Sequence, residues 1–263
     1  MPRTGASMGP LGFYNICLKT QHLRETVAFY RDLGFVPVGE DAPGLRVSLA
    51  NGDNALTFMT FLDANLINFR GAHIHRLMDE ILAAGMVVAG YNEMSDQQPL
   101  MLDEEGKPLP RNACGHFTVH DPDGHELFFN THPHEREPFE AALAGGVVQR
   151  GRGDGSLGHL AYCLDVTALN ASLRFYESLG LRVLLRDGDS AWITPPAKHE
   201  AIDFVLQLCE CEKAGARLRF YGGGGNVEVL RSLGFAPDTH GWAGTDPDHR
   251  RLEFLPASML PRR

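Results

Sequence analysis

One ten-residue signature occurs twice in this chain, once in each half. Residues 29–38 read FYRDLGFVPV and residues 175–184 read FYESLGLRVL. A second signature repeats in the same order, because residues 121–129 read DPDGHELFF and residues 246–254 read DPDHRRLEF. Two landmarks that recur in the same order indicate a duplicated structural unit. The chain is therefore expected to fold as two related halves.

Composition limits the classes of protein to which the chain can belong. Its 263 residues are enough for two domains that each bury a core. The formal net charge of −9 argues against a nucleic-acid partner held through phosphate contacts. Five cysteines without zinc-ribbon spacing are typical of reduced thiols in a cytoplasmic protein. No apolar run approaches the roughly 18 residues that a membrane span needs, so no membrane partner is expected.

Each half alternates between strand patterns and helix patterns. Apolar residues at helical spacing begin at Leu23 and at Leu169, and each stripe ends at a glycine that can cap a helix. Each DPD segment is predicted to turn a hairpin between the last two strands of its half. The sequence therefore predicts an α+β fold in two domains. The predicted segments are a disordered lead-in at 1–11, domains at 12–132 and 157–256, and a linker at 133–156.

The order of these signatures resembles the vicinal oxygen chelate superfamily, which includes glyoxalase I, fosfomycin and bleomycin resistance proteins and type I extradiol dioxygenases. The similar segments cover the chain from about Gly12 to Pro256. The resemblance implies four βαβββ modules paired into two domains, each with curled mixed sheets around a cleft. Because this fold hosts many functions, the resemblance does not specify a reaction.

In that family, side chains on inward-facing strands hold a divalent metal, and the substrate chelates it through two neighbouring oxygens. For the N-terminal half, the resemblance places the ligand positions at Asn15, near Asn65 and at Phe128. A phenylalanine ring is not a metal ligand, and the other two positions offer neither histidine nor glutamate. No metal is therefore expected in the N-terminal cleft.

The C-terminal half matches the ligand pattern in part. Glu253 occupies the last-strand position, Ala161 the first-strand position, and the middle position falls near Arg217. His159 lies two residues before Ala161, on the same strand face, and is the second candidate ligand. A divalent Fe, Mn, Ni or Zn ion is thus considered in the C-terminal cleft only. In the alternative, Glu253 pairs with Arg217 or Arg219 in a buried salt bridge that takes the place of a metal.

Other polar residues are candidates for binding a substrate. Alternation along the last two strands of the N-terminal half places histidines, an amide and an aromatic ring on one face. If that face lines the cleft, it suits a neutral or anionic aromatic ligand; otherwise its histidines face solvent or the other domain. The complete set of candidates is Asn15, His116, His120, Phe128, Asn130, Arg217 and His240.

Two functions remain open at this point. The first is an enzyme of the glyoxalase or dioxygenase kind, a lyase or oxidoreductase with a degraded metal site, acting on a small aromatic or vicinal-oxygen compound. The second is a metal-free protein that binds a small molecule, as the resistance proteins of the superfamily do. No catalytic residue is assigned. The sequence also leaves open whether the chain forms a homodimer.

Overall fold

A computed structural model describes residues 12–70, 74–93, 115–131, 155–194, 205–222 and 226–260. Within these residues, each half of the chain forms one eight-stranded mixed sheet and two α-helices. The helices are α1 (Leu23–Asp32), α2 (Ile74–Ala83), α3 (Leu169–Ser178) and α4 (Val227–Ser232).

The N-terminal sheet contains the first eight strands in the order β2-β3-β4-β1-β5-β8-β7-β6. The parallel pairs β1 with β4 and β5 with β8 each close one βαβββ module, and the antiparallel pair of β1 with β5 joins the two modules. The strands are β1 (Gly12–Lys19), β2 (Val36–Ala42), β3 (Arg46–Asn51), β4 (Asn54–Met59), β5 (Leu66–Arg70), β6 (Val88–Glu93), β7 (Gly115–His120) and β8 (Glu126–Thr131).

The C-terminal sheet repeats this order as β10-β11-β12-β9-β13-β16-β15-β14. Its strands are β9 (His159–Val166), β10 (Arg182–Asp187), β11 (Ser190–Thr194), β12 (Val205–Glu210), β13 (Gly215–Tyr221), β14 (Ala236–Asp238), β15 (Gly241–Thr245) and β16 (Arg251–Leu255). The predicted α+β fold of four βαβββ modules paired into two domains is confirmed. The predicted lead-in and nearly all of the predicted linker lie outside the described residues, so the boundaries stay a prediction.

The four helices end in the same way. A glycine with positive φ stands two residues after the last helical residue in each case: Gly34 (91°), Gly85 (79°), Gly180 (85°) and Gly234 (86°). Glycine adopts this conformation without the steric cost of a side chain, so each glycine ends its helix. In the part of the chain that the structure describes, no helix has the length and apolar character needed to cross a bilayer.

One hydrophobic cluster contains buried residues of both halves. The rings of Phe35 and Phe220 lie 6.1 Å apart across the two halves, and those of Phe29 and Phe235 lie 6.0 Å apart. Edge-on and tilted ring pairs of this kind add to the stability that burial of apolar area provides. The two sheets therefore pack on each other through a shared apolar core.

The repeated signatures meet at the contact between the halves, which we call the interdomain joint. The tyrosine of each FYxxLG signature donates a hydrogen bond to the first aspartate of the DPD signature in the other half. Tyr30 Oη lies 3.0 Å from Asp246 Oδ2, and Tyr176 Oη lies 3.0 Å from Asp121 Oδ2. The two halves are thus joined reciprocally, with the same bond made in both directions.

The second aspartate of each DPD turn extends the interdomain joint. Asp248 accepts hydrogen bonds from Gln21 N (3.0 Å) and Thr26 Oγ1 (2.9 Å) near the start of α1. Asp123 accepts from the backbone and side chain of Thr167, just before α3. Each carboxylate thereby satisfies donors near the start of a helix in the opposite half.

Candidate functional site

The C-terminal sheet packs one face on the shared core and turns the other toward a cleft. Along β16, Leu252 and Phe254 belong to the core, while Glu253 and Leu255 point to the cleft side. Glu253 is only 7% exposed, so its carboxylate is buried. Strand alternation therefore gives the orientation expected for Glu253 from the sequence.

Three cleft-side residues form a row across neighbouring strands of the C-terminal sheet. Ala161 on β9 lies opposite Arg219 on β13, and Arg219 lies opposite Glu253 on β16. Arg219 Nε is 2.5 Å from Glu253 Oε2, and Arg251 Nε is 2.7 Å from Oε1. The sequence placed the middle position of this row near Arg217, but the register of the strands places Arg219 there. Arg217, two residues earlier on β13, bonds mainly to Asp165, with Nη1 2.9 Å from Oδ1.

Charge around Glu253 outweighs the effect of its burial. Burial alone raises the pKa of this carboxyl, but the hydrogen bond and charge of Arg219, supported by Arg251 and Arg217, bring the pKa below its usual value. Burial lowers the pKa of Arg219, but interaction with Cys163 and the hydrogen bond and charge of Glu253 together raise this pKa above its usual value. Glu253 is therefore an ionised carboxylate surrounded by three guanidinium groups.

The residues at this row do not fit a divalent metal. Arginine keeps its proton and offers no lone pair, and alanine offers no ligand atom. His159 lies opposite Tyr221, two residues from the row and about 7 Å along the strand. Among the described residues, no group of three or more His, Cys, Asp or Glu side chains is placed to hold a metal ion. The hypothesis of a metal shared by His159 and Glu253 thus gains no support from the arrangement.

A cavity of about 370 Å³, which we call the C-terminal cleft, opens beside this row. It combines three aromatic side chains with several hydrogen-bonding groups, a composition typical of small-molecule sites. His240, a candidate binding residue from the sequence, is among the residues that line it. Its lining includes Asp187, Trp192, Gln207, Arg219, Tyr221, His240, Trp242, Arg251 and Glu253.

Two thiols lie in the wall behind the cleft. Arg219 Nη1 approaches Cys209 Sγ at 3.6 Å, and Cys163 Sγ lies 3.1 Å from Gln207 Oε1. A hydrogen bond from Cys163 and the nearby guanidinium groups lower the pKa of Cys209, whereas burial raises that of Cys163. The arginine neighbours of Cys209 come from another strand, β13, so the spacing of the cysteines in the sequence does not reveal them.

The equivalent row of the N-terminal sheet is different in character. Asn15 on β1 lies opposite Asn68 on β5, and Asn68 lies opposite Phe128 on β8. The expected middle position near Asn65 is therefore corrected to Asn68. Asn65, which immediately precedes β5, accepts a hydrogen bond through its side chain from the backbone of Lys19 at the end of β1. Two carboxamides and a phenyl ring do not suit a transition metal.

The candidate binding residues of the N-terminal half are brought together only in part. The rings of His116 and Phe128 lie 5.2 Å apart, and Phe128 is half-buried. Burial lowers the pKa of His116, which favours its neutral form. Asn130 donates to Asn68 Oδ1 at 2.7 Å, while its own buried Oδ1 has no hydrogen-bond partner among the described residues. His120 is exposed at the end of β7, away from this group.

Sequence reasoning missed the aromatic lining of the C-terminal cleft. Trp192 stands on β11 and faces Gln207 on β12, while Trp242 stands on β15. Tyr221 ends β13 with its ring 5.6 Å from that of Trp192. The alternation of side chains along β11 (SAWIT) could have indicated that Trp192 lies on one face of the sheet. Because residues on both faces of this strand are buried, the sequence does not show which face lines the cleft.

Comparison with solved structures finds proteins of the same fold. An extradiol ring-cleaving dioxygenase from B. fuscum gives a TM-score of 0.51 at 15% identity, over 95% of this chain and 72% of its own. The Mn(II)-bound glyoxalase from Novosphingobium aromaticivorans gives 0.54 at 13% identity, over 94% and 83%. Homoprotocatechuate 2,3-dioxygenase from Brevibacterium fuscum, complexed with 3,4-dihydroxyphenylacetate, gives 0.52 at 13%, over 94% and 81%.

No protein-family model and no curated protein sequence matches the chain. At 13–15% identity, the structural similarity concerns the path of the backbone and not the residues of a site. Both kinds of neighbour, the dioxygenases and the glyoxalase, are kinds that the sequence resemblance named. The chain has the two-domain, four-module fold of the vicinal oxygen chelate superfamily.

Proposed function

We propose that the chain binds a small aromatic compound in the C-terminal cleft without the help of a metal ion. The observation that carries this proposal is the pairing of Arg219 with Glu253 at 2.5 Å, in the row where the family resemblance expects metal ligands. The guanidinium group takes the position of a cation and neutralises the carboxylate. This favours the second of the two functions that the sequence left open.

Electrostatics supports the same reading. A divalent ion at Glu253 would lie beside the charges of Arg217, Arg219 and Arg251, and like charges at these separations repel strongly in a partly buried site. The carboxylates of Glu253, Asp165 and Asp238 already pair with these three guanidinium groups, so none of the three is free to balance the charge of an ion. Glu253 therefore serves to hold the arginines in place, and the arginines serve as donors toward the cleft.

The lining of the cleft indicates the chemical class of the ligand. Trp192, Tyr221 and Trp242 provide flat apolar surfaces, which favour a ring. Arg219 and Arg251 provide charged donors that suit carbonyl, hydroxyl or carboxylate oxygens. The volume of about 370 Å³ fits a compound of one or two rings. A small aromatic acid or phenol meets these requirements.

Intrinsic fluorescence provides a probe specific to this cleft. The chain contains two tryptophans, Trp192 and Trp242, and both line the cavity. We would titrate chelator-treated protein with two compounds. One is 3,4-dihydroxyphenylacetate, which the structurally similar homoprotocatechuate 2,3-dioxygenase binds, and the other is phenylacetate, which lacks vicinal hydroxyl oxygens on its ring. Binding without a metal predicts that both compounds change the emission with similar affinity, and that adding Mn(II) or Fe(II) has no effect.

Two variants sharpen the titration. Arg219→Met should weaken binding of both acids, whereas Arg174→Met, on the exposed surface of α3, should leave it unchanged. Added divalent metals should leave the melting temperature unaltered, since the described residues form no cluster that would bind them preferentially in the folded state. The proposal fails if only the diol binds and its binding requires Mn(II) or Fe(II). It fails equally if a panel of aromatic acids and phenols leaves the emission unchanged.

A further inference from the structure

In the part of the chain that the structure describes, the two sheets have four edge strands, and three of them carry features that hinder pairing with another chain. The edge β2 contains Pro37 and Gly39, and its register with β3 shifts twice. The edge β6 contains Gly90 with a φ of 59° and one register shift. The edge β14 has three residues, one of them Pro237. Proline, bulges and short length are the usual protection of a sheet edge.

The fourth edge, β10, lacks most of this protection. Its six residues, RVLLRD, include neither proline nor glycine, and all six are exposed. Val183 is 36%, Leu184 51% and Leu185 39% exposed, so three consecutive apolar residues face water. The strand β10 pairs on its inner side with β11, and the register of this pair shifts once, between Val183 and Leu185. An exposed apolar edge of this kind is a template for pairing with another strand.

We propose that β10 is the interface of a homodimer, in which two copies of the chain pair antiparallel through this strand. The sequence of β10 is complementary to itself in that direction. With the two-fold axis at its centre, Leu184 lies opposite Leu185 of the other copy. Arg182 at one end lies opposite Asp187 at the other, so each dimer forms two such ion pairs. An isologous contact of this type closes and limits the assembly to two chains.

Charge selects this arrangement over its alternatives. In a parallel pairing with the same register, Arg182 would oppose Arg182 and Asp187 would oppose Asp187, which is unfavourable for adjacent strands. The remaining charge, on Arg186, is turned toward its own half, where Nη1 donates to Asn170 Oδ1 at 2.9 Å. The arginines of β10 therefore do not protect the edge from a second copy.

The proposed interface also lies close to the C-terminal cleft, because Asp187 is one of the residues that line the cavity. Pairing would bring Arg182 of a second copy to the rim of that cavity. This inference goes beyond the proposed function and does not depend on it, since it rests on the edge strand alone.

Sedimentation velocity of the full chain over a series of concentrations tests the proposal. We expect a concentration-dependent dimer. Arg182→Asp places two aspartates opposite each other at both ends, and Asp187→Arg places two arginines there, so each variant should dimerise at least about tenfold more weakly. An equimolar mixture of the two variants should restore a dimer, because every pair is then aspartate with arginine.

Controls separate pairing from a loss of folding. Circular dichroism and tryptophan emission should show both variants folded, as strand and core residues elsewhere are unchanged. Val227→Asp alters an apolar residue of similar exposure (37%) on α4 and should leave dimerisation as in the wild type. A wild-type chain that stays monomeric at every concentration overturns the proposal. So does a dimer that survives both charge reversals, or a mixture that forms no heterodimer.

Discussion

Removing the charge of Glu253 should destabilise the protein more than removing its closest partner. Glu253→Gln leaves Arg217, Arg219 and Arg251 close together without a carboxylate between them. Breaking a buried ion pair from one side typically costs 3–5 kcal/mol. The side chains here are 9% exposed for Glu253 and 18% for Arg219, so partial screening places the expected loss at about 3 kcal/mol.

Arg219→Met should cost less, because Glu253 keeps its bond to Arg251 Nε at 2.7 Å. We expect a loss of about 1.5 kcal/mol, the scale of one charged hydrogen bond. Melting temperatures should fall by roughly 6–12 °C for Glu253→Gln and by about half of that for Arg219→Met. Glu212→Gln, which removes an exposed carboxylate of the same half, is the matched control and should stay within about 0.5 kcal/mol of the wild type.

The pH dependence gives an independent check on the charge of Glu253. Its folded pKa is lowered below the ordinary 4.5, so the unfolded chain takes up the proton more readily than the folded chain. The stability that the carboxylate contributes is therefore complete above about pH 4.5 and is lost as the pH falls through the folded pKa. Urea unfolding at neutral and acid pH should show the gap between wild type and Glu253→Gln shrinking on acidification.

Two results would refute this reasoning. A Glu253→Gln variant as stable as the wild type at neutral pH would mean that the carboxylate does not hold the arginines. A wild-type melting temperature that rises with Mn(II), Fe(II), Ni(II) or Zn(II), and loses the rise in Glu253→Gln, would restore Glu253 as a metal ligand.

Three further predictions concern the interdomain joint. Burial lowers the pKa of His125, but the neighbouring Asp121 carboxylate more than reverses this. The stability that protonated His125 contributes is therefore complete below pH 6.5 and is lost as the pH rises through the raised folded pKa. His125→Arg introduces the residue found at the equivalent position, Arg250, in the other half, so the melting temperature of this variant should change little between about pH 6 and pH 9. His249 adopts a φ of 63°, where a side chain is strained, so His249→Gly should raise the unfolding free energy by about 1 kcal/mol in urea titrations. Tyr30→Phe removes a buried hydrogen bond to a carboxylate and should lower the unfolding free energy by about 2 kcal/mol by the same assay.

The fold could be predicted from the sequence because its signals are local. The FYxxLG and DPD signatures lie at the end of a helix and in a hairpin turn, where backbone geometry restricts the residue type. Gly34 and Gly180 end their helices with positive φ as expected, and the DPD segments turn between the last two strands of each half. Identical strand orders in the two sheets then follow from the repetition of these local elements.

The rows across the sheets could not be predicted with the same accuracy, because register depends on contacts far apart in sequence. An error of two residues chose Arg217 in place of Arg219 and kept the correct face. In the N-terminal sheet the prediction was three residues too early, at Asn65 instead of Asn68. Because side chains alternate along a strand, an odd error of this kind also places the residue on the wrong face. A register irregularity between Phe13 and Asn15 adds to the difficulty in the N-terminal sheet.

The residues that reveal the fold are also not the residues that line the clefts. The reciprocal hydrogen bonds of the interdomain joint engage Tyr30 with Asp246 and Tyr176 with Asp121. Their pairing requires the same geometry in both halves and so repeats in the sequence. The rows beside the clefts carry no such requirement, and they differ completely: two asparagines and a phenylalanine in one half, and an alanine, an arginine and a glutamate in the other. A signature that determines how two halves join can therefore identify this fold, while the chemistry of each cleft depends on the side chains that face it.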